Sequence, residues 1–537
     1  MNRRAWTANP LPAGLLLLAL GAPSAFAAAA DAPQAPASGE KQPAAAPATP
    51  AVPADQSAAG AAAGEHKRPE IAPEATILDN PPDPKTLFRH DPEYPQPYDA
   101  AAQLEIYNSK HMNATTTPPI QEGTRLFDRG AYEPRPTWLG AKNPIGFHLL
   151  AYGDLRVVGA QNDNGKAAAN GKTDQSLAAG RLNLDLDMAF TATERIHAFL
   201  RPLDQGGAFT RYDFAGQVHD KFFQEFNSKI VTLFFEGDIG NILAGFRGRP
   251  VSFDIPISFG LVPITTQNGI WIQDAFTGGA IALTAKSNRK LDISNYDLTL
   301  FGGFDRVTTA AVPVGKAKVF GLAGFADLLH GYLEFGYGYT DADVKGLSYH
   351  NVTAAFSKRR FKDWLSNSVR LIGNFGQTAP VKTADGLLIL VENSLISRRP
   401  LVLVPYLNLF AGINTPQSLA RAADVGGVLV NTGINFQSDG VTGYPTLDAT
   451  AKKSVGGALG VEYLFDLSRQ IVVETAALGH TGTASTLGNQ YAVGASYQQP
   501  IPQLVGWIVR LDGMRGWLEG HGQKNIYGVR LELRRKF

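Results

Sequence analysis

Charged side chains recur at alternate positions through most of the chain, and ten histidines are scattered among them. Three kinds of chemistry could use them: a nucleophile activated by histidine, a metal site, or a row of charges facing water. The first needs nucleophile and base within hydrogen-bond reach. His148 and His197 fall inside alternating stretches, whereas His219, His330, His350, His480 and His521 fall in or beside connections. No serine or aspartate spacing singles one of them out, and GxSxG does not occur. For metals, no His or carboxylate cluster has ligand spacing, and DNPPDPKT (79–86) reads as turn punctuation rather than a calcium loop. The expectation is therefore neither an enzyme nor a holder of a metal or cofactor.

The third kind fits. In RLNLDLDMAF (181–190) the apolar Leu182, Leu184, Leu186, Met188 and Phe190 alternate with Arg181, Asn183, Asp185 and Asp187. Period two means a strand with one apolar and one polar face. The same alternation puts Asp154, Arg156, Asp185, Asp187, Arg201, Glu236, Arg247, Glu334, Arg370, Glu462, Glu474, Arg510 and Asp512 on polar faces, with Asp297, Arg530 and Glu532. Cross-strand pairing that props a wall and a field that sorts permeants by charge are the two uses such rows have. Both signs are present, so any sorting should be weak.

The elements that carry these rows begin at Phe147 and continue to Phe537. The pattern gives an all-β chain of about 16 to 18 strands, most near the roughly nine to eleven residues of a tilted membrane strand. NILAGFRG (241–248) is one expected strand and GAIALTAK (279–286) the next. Connections alternate in length: TATER, SNRKLD, DLLH, SRRP and DLSRQ are short, while 204–227, 249–278 and 413–453 are long. Tyr337, Tyr339, Tyr463, Trp507 and Tyr527 fall near strand ends, where amphipathic rings suit a membrane interface.

Composition narrows the class. No apolar run after the N-terminal stretch reaches the roughly 18 residues of a spanning helix. Cysteine is absent, which excludes disulfides, thiolate metal sites and a lipidated N-terminal cysteine. Forty-nine basic residues balance 48 acidic ones, so nothing indicates a nucleic-acid partner. Residues 1–27 read as a signal peptide, with Arg3 and Arg4, GLLLLAL and AFA in order. Residues 28–64 form an Ala/Pro-rich disordered tether. Residues 65–145 form a proline-rich segment, periplasmic or lumen-entering, with one short helix expected at 99–109; the barrel occupies 146–537.

Rims of unequal loops and a terminal Phe537, with Leu533, Leu531, Val529 and Tyr527 on its face, make 147–537 resemble a Gram-negative outer-membrane β-barrel of the porin type. The resemblance implies an antiparallel transmembrane barrel with lipid outside and water inside. It implies that the C-terminal row is read by the barrel assembly machinery, although Arg535 stands where an apolar residue is usual. It also implies a channel for passive diffusion of small polar or charged solutes. Alternatives are a barrel for export or envelope-complex assembly, with 65–145 docking on peptidoglycan or a periplasmic protein, and, below that, an outer-membrane hydrolase.

The connection 249–278 is too apolar for a surface loop: Phe253, Ile255, Ile257, Phe259, Ile270, Trp271 and Phe276 all demand burial. A lid on the barrel mouth, a subunit contact and an extra strand pair are open to it. The expectation is a loop folded into the lumen, presenting Asp254, Gln267, Asn268, Gln273 and Asp274 as a constriction.

Overall fold

The computed structural model describes residues 119–123, 136–137, 140–141 and 147–537, apart from 192, 206, 310, 313–316, 397–401, 423–424, 438–439, 467, 483–487 and 521–524. The expected signal peptide, tether, 99–109 helix and most of the proline-rich segment lie outside the described residues.

Strict alternation builds long strands that each pair with the next. They are β1 His148–Asp163, β2 Asp174–Ala189, β3 Arg195–Leu200 continued by Ala208–Gly216, and β4 Lys221–Phe223 continued by Ile230–Asp238. Next come β5 Pro256–Thr266, β6 Ile272–Asn288, β7 Ile293–Asp305, β8 Ala317–Leu328 and β9 Gly331–Ala342. Then follow β10 Tyr349–Arg360, β11 Leu365–Phe375, β12 Asp385–Leu395 and β13 Leu403–Thr415. The series ends with β14 Ser454–Leu464, β15 Gln470–His480, β16 Gln490–Pro500, β17 Trp507–Leu518 and β18 Ile526–Lys536. All neighbours are antiparallel, and β18 returns to β1 in the register Tyr527↔Asp163 through Lys536↔Asp154. The sheet is therefore a closed barrel of eighteen strands. Below the end of β18, the short strand Ile120–Gly123 pairs with 148–151 of β1.

Closure leaves the wall without an open sheet edge, so side chains decide what each face contacts. Along β18, Ile526, Gly528, Arg530 and Glu532 are buried inward while Val529 and Leu531 are exposed outward. Tyr337, Tyr463 and Trp517 stand on the outer face with large aliphatic residues such as Leu300 and Leu459. A soluble monomer rarely leaves so continuous a band of large apolar side chains bare.

The stretch 241–248 is not a strand. It belongs to a helix, α1, Ile239–Arg247, capped by Asp238, whose Oδ1 accepts the Asn241 amide (2.7 Å), and closed by Gly248 in the left-handed region. The fifth strand lies further on, at Pro256–Thr266, so 249–278 is no continuous loop. A wrongly placed strand and a missed one cancel in the total. The helix stands on the short-turn rim, because β4 runs into it and β5 leaves from it. The connection expected on the long-loop rim reduces to the tip 267–271.

That tip leaves the wall. β4 pairs with β5 only as far as Leu261, and β6 leaves β7 at Thr277, yet β5 and β6 stay paired to Thr266↔Ile272. The freed hairpin end crosses to the inner face of β9–β11. Trp271 is fully buried there, its Nε1–H donating to Asn351 Oδ1 at 2.8 Å. Gly336 makes the room: a Cβ on it would stand 2.3 Å from the Trp271 ring. Gly336→Val should displace the indole, leave Asn351 Oδ1 without its donor and lower the urea midpoint of the refolded barrel by an amount equivalent to about 2 to 4 kcal/mol. An unchanged midpoint would show that the tip contributes nothing to stability.

Candidate functional site

Four charge clusters line the inner face, and they divide by what they hold. Across β17, β18 and β1 the contacts run Arg510–Asp512 (3.0 Å), Asp512–Arg530 (2.8 Å), Arg534–Glu532 (2.8 Å) and Glu532–Arg156 (2.6 Å), with Asp154 3.9 Å from Arg534. Opposite charges sit on adjacent strands at one level because cross-strand neighbours lie that close. A second group joins β2 to β4. Arg195 lies 2.9 Å from Glu236 and 3.7 Å from Asp187, and His197 lies 3.2 Å from Glu236. Asp185 stands beside it on the inward row of β2, and Arg201 meets Asp204 at 3.7 Å in the bulge of β3. Both groups knit the wall.

The other two clusters hold segments inside it. Arg370, on β11, is buried; its Nη1 donates to the carbonyl and Oε1 of Gln267 (3.0 and 3.1 Å), and its Nη2 faces Glu392 at 3.4 Å and Glu334 at 3.8 Å. Thr353 donates to the same Gln267 Oε1 at 2.8 Å. Glu474, on β15, accepts from Tyr406 OH (2.6 Å), from the amides of Ile434 and Asn435 (both 2.9 Å) and from Asn435 Nδ2 (2.9 Å). A buried carboxylate needs such donors, since an ion unmatched in a low dielectric is strongly destabilising. Glu474 thereby fixes the loop between β13 and β14, 416–453, at mid-wall.

That loop crosses the lumen. It starts hooked to β10 and β11, where Asn351 and Asn374 donate to the Gln417 carbonyl (3.0 and 3.1 Å). It then pairs Ala420–Arg421 in parallel with Ile272–Gln273 of the hairpin tip. It reaches β1 and β2, whose Asn162 and Gln175 donate to the Thr442 carbonyl (3.0 and 2.8 Å), and then returns toward β13. β10 and β1 are nine places apart in a ring of eighteen, so the loop spans a diameter. Between loop and tip lies an apolar core of Ile270, Trp271, Ile272, Phe276, Leu419, Leu429 and Phe436. Arg421 is sealed into it, with Nη2 donating to the Gly269 carbonyl and Nε to Ser418 Oγ (3.2 Å). Burial pushes its guanidinium down to about 10, leaving it charged at neutral pH.

Of the residues expected to line a pore, Asp154, Arg156, Asp185, Asp187, Glu236, Glu334, Arg370, Glu462, Glu474, Arg510 and Asp512 all lie on inward rows. Arg247 does not: it is exposed on α1, at the short-turn rim. Asp254 is likewise exposed on that rim, away from Gln267, Asn268, Gln273 and Asp274 at the hairpin tip. Among those four only Asn268 keeps an exposed side chain. Asp274 is committed to the amides of Ala275 (2.9 Å) and Thr308 (2.7 Å). Sequence reading missed the larger insertion, 416–453, although its polar NTGINFQSDG run offered the amides that Glu474 binds. Tyr527, Val529, Leu531 and Leu533 share the outward row of β18, and Phe537 exchanges backbone hydrogen bonds with Gly153 (2.9 and 3.0 Å).

By its own geometry the chain is a closed antiparallel β-barrel of porin-type architecture with an internally packed lumen. No protein-family model matches the chain, and no curated protein does. Among solved structures, Pseudomonas aeruginosa OccK5 (OpdH) is similar at 11% identity, covering 72% of this chain and 98% of that one with a TM-score of 0.47. The outer membrane protein opdK of Pseudomonas aeruginosa gives 12% identity over 72% and 98%, TM-score 0.46. OpdQ of the same species gives 10% over 72% and 97%, TM-score 0.47.

Glu474→Gln keeps the size of the side chain but halves its capacity to accept. Amide exchange at Ile434 and Asn435 should accelerate by roughly tenfold or more, as loss of charge-assisted bonds at a buried site predicts, with exchange in β15 itself unchanged. Equal protection in both proteins would remove Glu474 as the anchor.

Proposed function

We propose that this chain is a channel of the Gram-negative outer membrane through which small polar or charged solutes diffuse, narrowed by the hairpin tip and the 416–453 loop. One observation carries the reading: a closed ring of strands with apolar side chains bare on the outside and charges of both signs inside. Lipid is the environment that suits the first, and water the second. The short-turn rim then faces the periplasm, and both ends of the barrel lie there. The outward row ending at Phe537 serves as the assembly signal.

Resistance concentrates at the narrowest section. The tip and loop cross the lumen between the long-loop rim and mid-wall, so they set that section. Charge selectivity is weak, because most lumen charges are spent on partners of opposite sign: Glu532 on Arg156 and Arg534, and Glu236 on Arg195. Asn268 keeps an exposed side chain at the constriction, and its carbonyl accepts from Asn431 Nδ2 at 2.5 Å.

Purified, refolded protein should give discrete conducting events in a planar bilayer. Deleting 256–272 would remove a wall strand, so the informative change replaces only 267–271 with a two-residue Asn-Gly turn. Unitary conductance should then rise by about twofold or more. Silence of both proteins, with folding verified, would sink the channel reading; equal conductance would place the constriction elsewhere.

A further inference from the structure

Three successive connections on the short-turn rim share a composition that neither wall nor lumen requires. The turn Arg289–Leu291 joins β6 to β7, Leu329 and His330 join β8 to β9, and 361–364 joins β10 to β11. Each presents a bare apolar side chain, Leu291 at 66% exposure, Leu329 at 65% and Phe361 at 72%, and the third adds Trp364 at 42%. Exposed cations flank them, Arg289 and Lys290 on the first turn, Arg360 and Lys362 on the third. Asp292, Asp327 and Asp363 lie at the same turns and offset part of that charge.

The outward row of β10 dates the change of environment. It reads Val352, Ala354, Phe356 and then Lys358 and Arg360, so an apolar face turns cationic within one strand. Lys358 Nζ donates to the Leu329 carbonyl at 2.8 Å and ties the second turn to the third. The switch marks where hydrocarbon gives way to headgroups, since a Lys or Arg stem lies along apolar surface while its charge reaches the polar layer. Further round, Arg535 lies over the Trp507 ring at 5.8 Å, which accounts for a cation in the C-terminal row where an apolar residue is usual. Turns standing in water would have no use for three exposed apolar tips. Turns seated in a headgroup layer cover the tips and bring the cations level with phosphates.

We propose that this rim, centred on the turns between β6 and β11, binds anionic phospholipid of the periplasm-facing leaflet. Leu291, Leu329 and Phe361 are covered within the headgroup layer, against the glycerol-side part of the chains, and Arg289, Lys290, Arg360 and Lys362 contact phosphate. Sign decides the lipid class, because each basic residue near a bilayer surface favours negative headgroups while the apolar tips favour none. The surface is continuous with the lipid-facing wall and rests on the reading that this wall lies in a bilayer.

The test is the refolded full-length chain in nanodiscs of phosphatidylcholine mixed with phosphatidylglycerol, with the lipids that stay bound counted by native mass spectrometry. Bound lipid should be enriched in phosphatidylglycerol over the bulk mixture by about threefold or more. The combined variant Arg289→Gln, Lys290→Gln, Arg360→Gln and Lys362→Gln should bring that ratio to the bulk value. A wild-type ratio equal to bulk, or a variant ratio as high as wild type, would overturn the proposal. Resistance of the inserted barrel to added protease is scored separately, so failure to enter the bilayer is distinguished from entry without lipid preference. If the quadruple variant does not insert, Arg360→Gln with Lys362→Gln alone should give an intermediate ratio, and no decrease there would equally overturn it.

Discussion

A peptide group without a partner cannot be left in hydrocarbon, and the pairing of β18 with β1 is what meets that condition here. Ten residue pairs, from Tyr527↔Asp163 to Lys536↔Asp154, convert an open sheet with two bare edges into a ring with none. Once the ring is closed, alternation has only one reading. The face of Leu531 and Val529 must be the outside, and Arg530 and Glu532 must be inside, because a cation or carboxylate on the lipid face is penalised by several kcal/mol near the midplane. Helix and strand propensities matter less to this chain than that topological fact.

Closure also makes a second interior. A ring of eighteen strands is wide enough to leave an aqueous bore, and this chain fills part of it with its own backbone. The filling behaves like the core of a soluble protein. Trp271, Leu419 and Phe436 are fully buried, the small residues Gly336 and Gly338 admit Trp271 and Leu419 against the wall, and polar wall residues satisfy the amides that the inserted segments bring in. Arg370 and Glu474 therefore differ from Arg156 and Glu532, although all four sit on inward rows. The first two hold lumen segments by their backbone and amide groups; the other two hold each other. Inward position is a necessary property of a pore residue, and these four show that it is not a sufficient one.

The misreading of 241–248 as a strand has an identifiable cause. In NILAGFRG, Ile242, Ala244 and Phe246 alternate with Leu243, Gly245 and Arg247, but Ile239, Ile242, Leu243 and Phe246 also fall at helical spacing. Over eight residues both periods fit. The tie is broken by the ends, since Asp238 and Gly248 are the residues expected just before and just after a helix. The strand Pro256–Thr266 and the first residues of β6 escaped because they carry apolar residues on both faces near the tip, where each face is covered, so no clean alternation survives there. Continuous apolarity there, visible in the sequence, is the mark of a strand leaving lipid contact and entering a packed core.

The sequence by itself determined the class of fold, the inward rows of charge and the unequal rims, because period-two alternation and turn length are local properties that any environment must accommodate. It also marked Ile270, Trp271 and Phe276 for burial from apolarity alone, although Phe253 and Phe259, marked on the same ground, are exposed. Only the tertiary structure decided where burial falls. Whether Asp274 faces a channel or binds the Thr308 amide, and whether Glu474 meets water or the 433–436 turn, depends on contacts between residues 34 and 40 positions apart. No window of alternation reaches so far, and only the closed wall brings those segments to one place.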